Sequence, residues 1–213
     1  MKRRDFLKGC GALLGAAYPR VEQYCAAAEV SAGRMADTSG MSLLFITIDH
    51  LAAPALGCYG HSSAETAHLD RFAGRAIRFN RCYCQTPVPN GSRTSYLTGL
   101  RPEATGVLRE DDSYDDLVPA PARSLPEILH RYGFRTANIG PLFGNPGRAC
   151  RPLSAFDFFA DANGLEPHEA DRQRAQLAAE ILAEMASAKR PFFMSLGLST
   201  LQSPLQCPRS CVE

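Results

Sequence analysis

The run LLFITI at Leu43–Ile48 is apolar but for Thr47 and stops at Asp49-His50. Such a run suits a strand covered on both faces, as in a parallel sheet. Residues 66–77 then set Leu69, Phe72, Ala73 and Ala76 at helical spacing, and 78–84 alternates enough for a second strand. The stretch YCQTPVPNGSRTSYLTGLRP, residues 83–102, carries a Pro/Gly-rich turn. A helix-like segment follows it, opened by Ser92-Arg93 and closed at Thr98-Gly99. Ser124 starts a short helix that Gly133 ends, and 134–140 follows as a strand. A longer amphipathic helix occupies 168–188, and 192–198 (FFMSLGL) is another strand. Alternating strands and helices predict an α/β three-layer sandwich with a mostly parallel central sheet. Sites in such sheets gather at the carboxyl ends of strands, where both Asp49 and the 87–93 turn fall.

A length of 213 residues predicts one domain. The net charge of +1 gives no general pull toward nucleic acid or an anionic membrane, and no stretch has the apolar length of a membrane span. Residues 1–28 read as an address: Arg3-Arg4 and Phe6-Leu7-Lys8 precede a short apolar run, and Ala26-Ala27-Ala28 suits a signal peptidase. The pattern resembles a bacterial twin-arginine signal, which implies export to the periplasm or beyond. Residues 29–41 read as a linker. Of the cysteines, Cys58, Cys82, Cys84, Cys150, Cys207 and Cys211 lie after the expected cleavage point. Cys82 and Cys84 flank one residue of the expected strand and should share a face, and buried free thiols are expected rather than a defined disulfide set.

The segment from Leu43 through LGCYG, LDRFA, YCQ, SRTSYLTGLRP and TGV resembles the opening of a type I sulfatase, in the branch like iduronate 2-sulfatase. SLPEILHRYGFRTANIG and RPFFMSLGLS extend the likeness over residues 42–204, as an incomplete N-terminal portion, with 205–213 an irregular tail. The resemblance implies an alkaline phosphatase-like fold. It also implies a sulfuric ester hydrolase whose nucleophile is a formylglycine made from Cys or Ser in a C-x-P-S-R pattern. A divalent cation, usually calcium, is held there by carboxylates at strand ends.

This chain departs from that pattern at each functional spot. Pro89 stands at the nucleophile position and Gly91 at the motif proline, while Ser92 and Arg93 remain. Asp49 matches the first metal-ligating acid, but His50 replaces the second, so any metal site at Asp49 and His50 is weak and calcium is not expected to bind. A Gly-Lys-x-Phe-His segment of the family reads Gly140-Pro141-Leu142-Phe143-Gly144, and a later Lys-Pro-His reads Thr200-Leu201-Gln202. Arg93 is the residual catalytic-site residue, expected to hold Asp49 or to face solvent. The leading expectation is a catalytically inactive, truncated sulfatase-family protein, with sheet strands missing and an exposed edge. Two alternatives stand beside it: a module that binds a sulfated glycan or a complementing chain, and a hydrolase using water at an altered metal site.

Overall fold

The computed structural model describes residues 40–142, 151–162, 164–199 and 201. Its chain order is β1 (Leu43–Ile48), α1 (Ala67–Ala73), α2 (Pro89–Thr98), α3 (Pro102–Thr105) and α4 (Tyr114–Leu117). Then come α5 (Leu125–Arg131), β2 (Arg135–Ile139), β3 (Phe158–Ala160), α6 (Pro167–Ser187) and β4 (Phe192–Leu198). The four strands form one parallel sheet in the order β1-β4-β2-β3. Parallel neighbours need crossover connections; helices α1 to α5 lie between β1 and β2, and α6 lies between β3 and β4.

Register divides the sheet into two apolar faces. On one, Leu44 and Ile46 of β1 align with Met194 and Leu196 of β4, which align in turn with Ala137 and Ile139 of β2. Helix α6 packs against the β4 and β2 part of this face through Ala178 and Met185, with Leu177, Ile181 and Leu182 beside them. The opposite face carries Phe193 stacked on Phe156 at 6.0 Å, and Phe45 against Tyr96 of α2 at 5.3 Å. A separate small core of Val107, Tyr114, Val118 and Ala122 anchors the loops after α3.

Helix α5 begins where the sequence predicts. The Glu127 carboxylate accepts hydrogen bonds from the N–H and the hydroxyl of Ser124, both at 2.7 Å, closing the start of the helix. Gly133, at φ +83°, lets the chain turn out of it into β2.

Three expectations need correction. Residues 78–84 form no strand: every one of them is exposed, and alternation alone does not make a strand without a partner or a core to cover. Helix α2 starts at Pro89, not at Ser92-Arg93, because proline's fixed φ suits the first helical position and its missing N–H would be unpaired there anyway. The thiols of Cys82 and Cys84 are exposed and that of Cys58 half-buried, all three free, so the buried-thiol expectation fails for them. Cys150, Cys207 and Cys211, the address segment 1–28, the linker up to residue 39 and the 205–213 tail lie outside the described residues.

Candidate active site

The sheet places Asp49 first. Its N–H donates to the Leu198 carbonyl at 2.9 Å, extending the β1–β4 ladder one residue past β1, so its side chain starts from a fixed point at the strand's carboxyl end. The chain then reverses through His50 at φ +60°, a left-handed conformation that histidine tolerates better than most residues do. The imidazole at this turn is exposed.

Helix α2 supplies the opposite wall. Pro89, Ser92, Arg93 and Tyr96 fall at helical spacing on one face, and all four line a cavity of about 490 Å3 together with Asp49 and His50. Its rim is completed by Cys84 and Thr86 from the approach to α2 and by Glu110 from the loop after α3. That loop is pinned to α2 by the Asn90 side-chain amide, which donates to the Glu110 carbonyl. The Asp112 carboxylate closes the loop from within, accepting from the Arg109 and Leu108 N–H groups at 2.7 and 2.8 Å. Those backbone hydrogen bonds, Arg109 first, hold its pKa below the ordinary value.

Arg93 and Asp49 meet across the cavity. One guanidinium nitrogen donates to both carboxylate oxygens at 2.8 Å, and the two side chains are only 12% and 19% exposed. The expectation that Arg93 holds Asp49 is met. Tyr96 sits behind this pair. Burial pushes its phenol up to about 12, an effect reinforced by Asp49 and opposed by Arg93.

The donor set can be weighed against a divalent cation. Calcium takes about six to eight oxygens. Here both Asp49 oxygens face Arg93, and the neighbouring His50 offers nitrogen. Among the described residues no group of three or more His, Cys, Asp or Glu side chains is placed to share a metal ion. These residues do not fit the ion.

Of the cationic positions that the resemblance implies, one lies among the described residues, and Pro141 occupies it. Pro141 and Leu142 follow β2 directly, at a close crossing in which a Cβ on Gly140 would collide with the Gly197 carbonyl. Phe143, Gly144, Thr200 and Gln202 lie outside the described residues.

The sulfatase family model matches residues 42–211 of this chain. The chain belongs to the sulfatase family. It is similar to mouse iduronate 2-sulfatase, 24% identical over 220 residues that cover 87% of this chain and 39% of that relative. It therefore spans about two-fifths of the length of that sulfatase. Among solved structures it resembles a protein in complex with its substrate D-glucosamine-2-N,6-O-disulfate (TM-score 0.61, 18% identity, 79% of this chain and 36% of that one). It also resembles an alkaline phosphatase superfamily protein from Vibrio parahaemolyticus (TM-score 0.57, 17% identity, 80% and 43%). The α/β fold with a parallel sheet is that of the alkaline phosphatase-like sulfatases.

Sequence reading brought Asp49, His50, Pro89 and Arg93 to one site, and the structure assembles all four. Tyr96, Glu110 and Cys84 also line the cavity and were not among the residues expected there. Tyr96 was accessible from spacing, since it repeats the Pro89, Ser92 and Arg93 face one turn on. Cys84 and Glu110 reach the cavity through loops and leave no periodic signal.

Proposed function

We propose that this chain is a catalytically silent sulfatase-family protein that does not hydrolyse sulfate esters. The observation that carries the reading is Pro89 on the α2 face lining the Asp49–Arg93 cavity. Its side chain is hydrocarbon, so it offers no oxygen or sulfur to attack sulfur(VI) and nothing to oxidise to an aldehyde. Loss of an essential nucleophile forfeits rate on the order of a millionfold. The electrostatics point the same way. The lining holds two acidic residues, Asp49 and Glu110, and one arginine, Arg93, whose guanidinium is already paired with Asp49. A sulfate ester approaching this lining meets net negative charge, where catalysis needs preorganised donors aimed at the developing charge. The same balance weighs against a sulfated glycan as the cavity's resident ligand. The twin-arginine-like leader supports a place outside the cytoplasm, where sulfated glycans and partner chains are met.

The test is sulfate release from an aryl sulfate by the purified chain, with calcium supplied. The expected rate equals that of a heat-denatured control. Chelator-sensitive release above that control overturns the reading.

A further inference from the structure

We propose that the turn at residues 61–64 is a pH-sensitive latch, closed on the neutral imidazole of His61 and opened when that ring takes up a proton. His61 Nδ1 accepts two backbone hydrogen bonds, from the Ser63 N–H at 3.2 Å and from the Ala64 N–H at 2.9 Å. A ring nitrogen accepts only through its lone pair, so Nδ1 carries no proton in this arrangement and the neutral ring holds its proton on Nε2. The imidazolium has an N–H at both nitrogens and no acceptor left. One proton therefore removes both bonds at once and sets a donor against two donors. The ring starts from a fixed point, because the His61 N–H donates to the Leu56 carbonyl at 3.2 Å just after Gly60 turns the chain at φ +100°.

The turn is tied to what lies behind it. The Ala64 carbonyl accepts from the Thr66 N–H at 3.2 Å. Thr66 Oγ1 in turn accepts from the Gly57 N–H at 2.9 Å and donates to the Asp70 carboxylate at 3.0 Å. Ala64 is thus held between the imidazole and Thr66, and Thr66 holds Gly57 against α1. These residues wall a cavity of about 430 Å3, whose lining includes His61, Cys58, Asp70 and Arg78.

The other charged and titratable groups of that lining are engaged elsewhere. Asp70 accepts from the Cys58 N–H at 2.7 Å as well as from Thr66. Arg78 donates to the Cys58 carbonyl and lies over the Tyr59 ring at 5.3 Å. Glu65 and His68, next along the chain, are exposed. Histidine is the side chain whose charge ordinarily changes between about pH 5 and 8. The closed turn binds one proton fewer than the open one, so it is favoured as pH rises and lost as pH falls through that range.

Hydrogen exchange at the Ser63 and Ala64 amides of the full chain tests this at about pH 5 and pH 8, each rate compared with that of an unstructured peptide at the same pH. Protection is expected to be about fivefold or more greater at the higher pH, where two hydrogen bonds close the turn. In His61→Asn the side-chain carbonyl accepts at both pH values, as asparagine does in turns, and protection should not change between them. Equal protection at the two pH values in the unaltered chain overturns the proposal, and so does a pH dependence that survives in His61→Asn. Nitrogen NMR of the unaltered chain adds a reading that needs no variant. At the higher pH the His61 proton is expected on Nε2, and a proton on Nδ1 overturns the latch.

Discussion

The space around Gly91 bears on whether two substitutions can rebuild the family's oxidisable pattern in this turn. A Cβ at this position would lie 2.9 Å from both Thr86 Cγ2 and the Val107 carbonyl oxygen, and the latter is backbone that cannot swing aside. Pro89→Cys with Gly91→Pro rebuilds the oxidisable pattern on paper, yet the proline ring would force the turn open and misplace the sulfur by an ångström or so, enough to cost about a hundredfold in rate by itself. Sulfate would still meet a lining with two acidic residues, Asp49 and Glu110, and a single arginine already paired with Asp49. The double variant is expected to show no aryl sulfate turnover after co-expression with a formylglycine-generating enzyme, even where mass spectrometry finds the aldehyde. Turnover from the converted protein would mean that Pro89 is the sole lesion. Tyr96 offers a test of burial behind the same cavity. Its phenol ionises near 12 in the folded chain, against an ordinary value of 10.0. A raised value means that the folded state keeps its proton after the unfolded state has lost it. Stability from this group is therefore whole below pH 10 and is lost as pH climbs toward 12. Urea melts across that interval should fall less steeply for Tyr96→Phe than for the parent. Equal slopes would mean that the phenol is not buried.

At the scale of elements, α6 carries a group that its sequence pattern hides. Ala170, Arg174 and Ala178 recur every four residues on its buried face, and the arginine in that stripe is 7% exposed. Arg174 binds Asp161 after β3 at 2.7 Å, Asp171 on its own helix at 2.8 Å and the Ser199 hydroxyl after β4 at 2.9 Å. It also packs over Gly140 after β2, so one side chain ties three strand ends together. Arg174→Ala leaves the carboxylates of Asp161 and Asp171, 9% and 14% exposed, without their cation and should cost about 3 kcal/mol. Arg135→Ala breaks a pair with Glu184 whose side chains are 31% and 60% exposed, and it should cost at most about 1 kcal/mol. Comparable losses for the two in urea denaturation would refute the clamp. The same helix shows what a sequence can and cannot disclose. β1, β2, β4, α5 and α6 were legible because each satisfies its own periodicity and has its own stop signal, such as Gly133 or Asp49-His50. Arg174 was not, because a charged residue inside an apolar stripe declares itself only once Asp161 arrives from elsewhere in the chain. The 78–84 segment failed for the opposite reason: its local pattern was adequate, but among the described residues the sheet gives it no neighbour.

At the scale of the molecule, the sheet with α6 and the 51–84 stretch stand at opposite extremes of burial among the described residues. The sheet and α6 hold Phe193, Met194, Ile139 and Met185, each 0–1% exposed. Between Leu51 and Cys84 no residue is buried. That stretch is held by polar ties instead: Asp70 accepts from the Cys58 N–H at 2.7 Å, Thr66 Oγ1 accepts from the Gly57 N–H at 2.9 Å, and the Tyr59 hydroxyl donates to the Phe79 carbonyl at 2.9 Å. Such bonds contribute about 1 kcal/mol net apiece and compete with water wherever they are accessible. Apolar burial contributes about 1.5–3 kcal/mol per large side chain and does not face that competition. The two regions should therefore open separately, the 51–84 stretch at low free-energy cost and the sheet only with global unfolding. Both contain arginines: Arg71, Arg75, Arg78 and Arg81 in the first, Arg172 and Arg174 on α6 in the second. In a trypsin time course under native conditions, the earliest cleavage among these six sites is expected within 71–81, with both α6 sites intact until much later. The amides of β4 should likewise be among the last to exchange with deuterium. First cleavage at Arg172 or Arg174, or β4 exchange as fast as that of 51–84, would show that α6 and the sheet do not form the stable unit their packing implies.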